Sequence, residues 1–144
     1  MRPVLVGENN PYGPDEEFAL WPAPVGCAGW RLCHEIFGMD ADAYCETFQR
    51  VNLLYAARWS APAARASAAA LRERFPANNL VLLGARVQAA FGYPGREPFS
   101  LEVEGRGARR VFFVPHPSGR NRIWDDPASI QKARALLPAI LGVP

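Results

Sequence analysis

Asn79-Leu80-Val81-Leu82-Leu83-Gly84 decides the fold. Its apolar residues run on without polar alternation, so a strand here is covered on both faces, as in a parallel sheet. Gly84 supplies the turn out of it. Working outward, Val4-Leu5-Val6 and Arg50-Val51-Asn52-Leu53-Leu54 read as further buried strands, the second with a polar residue set into it. Phe99–Val103 and Arg109–Val114 read as two more, joined by the turn Gly105-Arg106-Gly107.

Helical stretches lie between these strands. Gly29 to Phe37 has helical spacing, with Trp30, Cys33, Ile36 and Phe37 on one side and Gly38 as a stop. Asp40 suits the N-cap of a helix through Phe48. Residues 60–75 are alanine-rich, and Pro76 ends them. A short helix follows Gly84 and runs through Phe91. Asp126-Pro127 opens the last helix, which reaches about Leu141. Strand and helix alternate, so the expected fold class is α/β. The expectation is a three-layer α/β/α sandwich whose central, mainly parallel sheet has four to five strands, as a single domain over residues 1–144.

The composition is that of an ordinary globular chain: 49% hydrophobic, 21% charged, net charge +2. No apolar run approaches the roughly 20 residues needed to span a bilayer, and residues 1–6 lack a signal peptide's apolar segment. The expected setting is cytoplasmic, away from membranes, with the chain a monomer. All but one of the 16 basic residues are arginine, the exception being Lys132. Arg106, Arg109, Arg110, Arg120 and Arg122 cluster in sequence, and arginine's planar fork suits phosphate. A genome-wide preference for arginine explains the overall bias, though less well the local cluster. Cys27, Cys33 and Cys45 are an odd number without a Cys-x-x-Cys pair, which argues for buried free thiols over disulfides or an iron–sulfur cluster. Only His34 and His116 could contribute imidazole, so no metal site and no cofactor are expected.

In parallel sheets, ligands bind outside the carboxyl ends of the strands. Three polar elements fall there: the loop Gly7-Glu8-Asn9-Asn10-Pro11-Tyr12-Gly13-Pro14, Asn52, and the loop Pro115-His116-Pro117-Ser118-Gly119-Arg120-Asn121-Arg122. Residues 7–25 as a whole read as a long functional loop carrying Tyr12, Phe18 and Trp21. Each candidate has a plain structural reading beside the functional one. His116, fixed between two prolines, serves either the loop or catalysis. Asn52 either bonds backbone or reads a flat ligand edge bearing a donor beside an acceptor, as a nucleobase does. Glu8, Asn9 and Asn10 either cap a turn or hold a water beside a reacting carbon. Tyr12, Phe18 and Trp21 either pack the loop or stack on a planar ligand.

Three separated motifs resemble the uracil-DNA glycosylase superfamily. Val6-Gly7-Glu8-Asn9-Asn10-Pro11-Tyr12 looks like its first motif, Arg50-Val51-Asn52-Leu53-Leu54 like the strand with the base-reading asparagine, and His116-Pro117-Ser118 like its His-Pro-Ser loop. Leu82-Leu83-Gly84-Ala85 fits the intervening strand-to-helix turn. The tract from His116 to Asn121 is closest to the single-strand-selective monofunctional uracil glycosylase branch. The resemblance covers about residues 4–124, as islands.

The resemblance implies roles. Asn10 or Glu8 would position or activate the attacking water, and one extra residue between Gly7 and Pro11 leaves Asn9 open too. Asn52 would bond the Watson–Crick edge of an extruded base, beside Tyr12, Phe18 and Trp21. His116 would donate to the base oxygen as negative charge develops. Ser118 would grip a phosphate; Arg120 or Arg122, with Asn121 in the same loop, would meet the DNA and fill the gap in the stack. Tyr12 matches the bulky residue that excludes a methyl at base C5, whereas the branch resembled by the His-Pro-Ser loop usually has glycine there.

The implied activity is monofunctional DNA glycosylase, acting on uracil or a related modified base flipped out of single- or double-stranded DNA. Lys132, in the last helix, is not placed for a Schiff-base step. The alternatives are a glycosylase for a bulky modified base in phage defence, or a non-catalytic lesion-binding module on the same fold. A weaker third is an unrelated α/β enzyme using His116 and Ser118 on a phosphorylated small molecule.

Overall fold

The computed structural model describes residues 1–9, 13–107 and 109–143. Its five strands are β1 (Val4–Asn9), β2 (Gln49–Leu54), β3 (Leu80–Leu83), β4 (Ser100–Glu104) and β5 (Arg109–Val114). Its α-helices are α1 (Ala28–Trp30), α2 (Ala41–Thr47), α3 (Ala61–Arg74), α4 (Ala85–Ala90) and α5 (Pro127–Ile140). The sheet order is β2-β1-β3-β5-β4, with β1–β2, β1–β3 and β3–β5 parallel and β4 antiparallel to β5. Helices cover both faces, so the protein is a three-layer α/β sandwich.

Strand alternation splits the core in two. Val4, Val6, Leu80, Leu82, Val111 and Phe113 meet Ala64, Ala68 and Leu71 of α3 and Val87 of α4. Leu5, Val81, Leu83, Phe112 and Val114 meet Leu32, Ile36, Tyr44, Phe48 and Ala133 on the other face. Both faces of the central strands are apolar, so these strands read as unbroken apolar runs in sequence.

Local signals set the helix starts. Asp40, Ser60 and Asp126 each accept a backbone N–H with the side chain, capping α2, α3 and α5. Pro127 stands in the first turn of α5, where its missing N–H costs nothing.

Several expectations need correction. β1 extends past Val6 to Asn9, which puts Glu8 and Asn9 on the strand's carboxyl end. The stretch expected as one helix from Gly29 is α1 followed by a π-helical segment, Arg31–Ile36, where Phe37 N–H donates to Leu32 C=O. The wider turn lets Leu32, Cys33, Ile36 and Phe37 all reach the core, while Trp30 stays half-buried. Of the three free thiols only Cys33 is buried, and burial pushes its pKa up to about 11.

The arginine cluster is also divided. Arg106, Arg109 and Arg110 sit at the amino end of β5, whereas Arg120 and Arg122 follow its carboxyl end. Arg109 is buried, pairing with Glu104 and the Phe75 carbonyl, so it is structural. One strand's length separates the two groups, and no single patch forms from them.

Candidate functional site

The chain leaves β1 for β2 on one side and returns to β3 on the other. That switch in direction opens a crevice at the carboxyl end of β1. A cavity of about 260 Å³ occupies it. Glu8 and Asn9 of β1, Asn52 of β2, Trp21 and His116 are among its lining residues. The volume lies just under the roughly 300–1,000 Å³ of drug-sized ligand sites, which suits a single flat ring better than a large cofactor.

His116 follows β5 and is held by its backbone. Its carbonyl accepts from Trp124 Nε1–H at 2.9 Å and from Asn121 Nδ2–H at 3.1 Å. Arg31 Nε–H donates to the next carbonyl, Pro117, at 3.2 Å. The Ser118 backbone N–H donates to His116 Nδ1 at 3.1 Å. Nδ1 therefore carries the lone pair, and a neutral ring carries its proton on Nε2. Nε2 faces the Glu8 carboxylate at 3.8 Å, a charge-contact distance longer than a hydrogen bond. Burial lowers the His116 pKa; the Glu8 carboxylate opposes the shift and the Arg86 charge adds to it. The net direction is down, so at neutral pH the ring is an uncharged N–H donor.

Asn52 is 3% exposed. Its backbone N–H donates to the Tyr55 hydroxyl at 3.2 Å. Its Oδ1 is buried without a hydrogen-bond partner among the described residues, so the expected alternative of a strand-end amide bonded to backbone is not what this oxygen does. Rotation about Cβ–Cγ exchanges the two ends of the amide, so the side chain can offer the cavity a donor or an acceptor. Gly7 makes room for it, because a Cβ at Gly7 would overlap Oδ1. Gly84, at the end of β3, makes similar room for His116: a Cβ there would lie 3.0 Å from the His116 Cβ.

Trp21 is carried on the loop after β1. Arg50 fixes that loop by donating to the carbonyls of Glu17 and Ala19, at 3.1 and 2.8 Å. Its guanidinium also lies 5.1 Å from the Trp21 ring centroid. Tyr44 adds a hydroxyl bond to the Leu20 carbonyl at 2.9 Å.

Not every candidate arrives here. Phe18 packs edge-on to Trp21 but lies outside the cavity lining, beside a surface groove with Ala23 and Pro24. Asn9 lines the cavity, yet its Nδ2 is held by the Ala56 carbonyl at 2.7 Å. Asn10 and Tyr12 lie outside the described residues. Asn121 is committed to its own loop, through its bond to His116 and by capping the 3-10 turn Arg122–Asp125. Ser118 Oγ accepts from the Arg120 N–H at 3.2 Å. Arg120 and Arg122 are exposed, without a carboxylate partner among the described residues. Leu20, Cys27, Ala28 and Gly29 line the cavity without having been expected at the site; their one signal is their place in and just after the long loop. Among the described residues no three His, Cys, Asp or Glu side chains group to hold a metal ion, and no helix is long and apolar enough to cross a membrane.

A scan of protein-family models finds no match to the chain, and a search of curated proteins finds none either. What bears on function is the site's own chemistry: an amide, a neutral imidazole donor and a carboxylate around a small cavity.

Proposed function

We propose that the chain is a monofunctional DNA glycosylase that hydrolyses the N-glycosidic bond of uracil or a related modified base extruded from DNA. One observation carries the reading: Asn52, His116 and Glu8 line a common cavity of about 260 Å³ at the carboxyl end of β1. The resemblance of their motifs to the uracil-DNA glycosylase superfamily adds to it.

The chemistry assigns each group a task. As the bond between the sugar C1′ and the base nitrogen breaks, its electron pair leaves with the base and spreads to the ring oxygen. His116 Nε2–H donates to that oxygen, and a neutral donor suits an anion that needs no full proton. Asn52 matches the donor and acceptor on the base edge. The Glu8 carboxylate, 3.8 Å from His116 Nε2, stabilises the positive sugar, orients the water whose oxygen joins C1′ and takes the proton that the water gives up. Removing one such preorganised donor costs about 10²–10³ in rate.

The test is base release from a panel of single- and double-stranded DNAs containing uracil, hydroxymethyluracil, hypoxanthine or a bulky modified base. The expected outcome is abasic sites without backbone cleavage. Asn52→Ala and His116→Ala each lower the single-turnover rate far more than the DNA affinity. Binding to altered DNA with no release from any substrate overturns the enzyme in favour of a lesion-binding module.

A further inference from the structure

Trp59 stands on the loop between β2 and α3, Arg65 on α3, and Arg86 in the first turn of α4. α3 and α4 pack side by side on one face of the sheet, which brings the three side chains to one groove of about 140 Å³. Ala61, Ala89 and Ala90 complete its walls, and their small side chains keep it open. The Arg86 guanidinium lies 5.7 Å from the Trp59 ring centroid.

Charge in this groove is unbalanced. Arg31, Arg72, Arg74, Arg96 and Arg109 each have a carboxylate partner. Arg65 and Arg86 have none among the described residues, and no acidic residue lines the groove. Two unneutralised guanidinium groups on low-dielectric walls attract an anion. The half-buried indole adds a flat apolar surface. Trp59 also packs against the core, and its remaining surface faces the groove; a free phosphate would use the arginines alone. A strand of nucleic acid brings phosphates and flat rings together, and aromatic platforms beside basic side chains are how single strands are held.

Position ties the groove to the cavity. Arg86 is two residues beyond Gly84, which abuts His116, and its charge acts on that imidazole. We propose that the groove binds single-stranded DNA flanking the extruded nucleotide, one base stacking on Trp59 and adjoining phosphates pairing with Arg65 and Arg86. The placement of that strand rests on the glycosylase reading; the binding itself is measured without it.

The experiment is fluorescence anisotropy of the whole chain with a fluorescein-labelled oligothymidylate that contains no excisable base, titrated across salt concentrations. The double variant R65Q/R86Q raises Kd about tenfold at low salt. It also flattens the dependence of log Kd on log salt by about 1.4, at about 0.7 per phosphate contact on a single strand. Trp59→Ala raises Kd about tenfold. Should that variant lose its melting transition, Trp59→Leu keeps apolar volume and gives the same readout. R106Q/R110Q removes equal charge at the opposite edge of the sheet and leaves Kd within about twofold.

Equal weakening by the two double variants overturns the proposal in favour of bulk charge. So does a Kd indifferent to both Trp59 variants, which marks an inorganic-anion site. Because no base release is read, an inactive protein that still shows the predicted binding sinks the glycosylase and keeps the groove. An active one whose strand affinity ignores these substitutions sinks the groove alone.

Discussion

Gly7 and Asn52 are register partners in the parallel pair β1–β2, and Asn52 Oδ1 rests where a Gly7 side chain would be. The amide is thus seated by the absence of a neighbour's Cβ. It is held at the bottom of the crevice without a hydrogen bond to Oδ1 from the described residues. A buried acceptor left unpaired costs about 1–3 kcal/mol, and a ligand with a donor recovers part of that.

Gly7→Ala should therefore act on both stability and function. The new methyl group has to push the amide or the strand aside, and overpacking of this kind costs about 1–3 kcal/mol. Thermal melting should fall by roughly 3–10 °C, with slower base release. An unchanged melting temperature and rate would show that the amide does not need this seat.

Asn52→Ala should separate the two. It removes an unpaired buried acceptor, which offsets the small space it leaves. The melting temperature should stay within about 3 °C, while single-turnover release falls about 10²–10³-fold. A large loss of stability with intact activity would make Asn52 a structural residue.

Acidification should disturb the His116 loop, because protonation at Nδ1 removes the acceptor that the Ser118 N–H uses. The folded pKa of His116 is depressed below the ordinary 6.5, chiefly by burial. The unfolded chain then binds this proton at higher pH than the folded chain does, so unfolding takes up protons below about 6.5. The His116 contribution to stability is complete above that pH and is lost as pH falls through the folded pKa. His116→Gln should flatten the fall in melting temperature between pH 7 and pH 5. Wild-type release should also decline on the acid side, once the ring's net charge changes. A wild type and variant with parallel pH–melting curves would refute the assignment.

Asn121→Ala should behave as a loop mutation. Its amide holds the His116 carbonyl and caps the following turn, at 3.1 and 3.4 Å. The loss should cost about 1 kcal/mol or somewhat more and slow release through a displaced imidazole. The salt dependence of DNA affinity should not change, because the side chain is engaged within the loop. A flatter salt slope would instead place Asn121 on the DNA.

Much of this was readable in one dimension. Unbroken apolar runs at Leu80–Leu83 and Val111–Val114 required strands covered on both faces. A parallel sheet then put Glu8, Asn52 and His116 at strand carboxyl ends. Asp40 and Asp126 marked helix starts because capping is local hydrogen bonding. Less was readable where distant contacts intervene. The π-helical turn exists because four side chains compete for one core face, and Phe18 is kept out of the cavity by how Arg50 and Tyr44 seat the loop around Trp21. Trp59, Arg65 and Arg86 carried no motif; only the packing of α3 against α4 joins them.

Sequence alone determined the layers, the parallel sheet and the strand ends that bear polar residues, since burial periodicity and capping act over a few neighbours. Tertiary structure decided which of those groups share a cavity and which, like Phe18, stay outside its lining. Those outcomes depend on distances across the sheet, which no local pattern encodes.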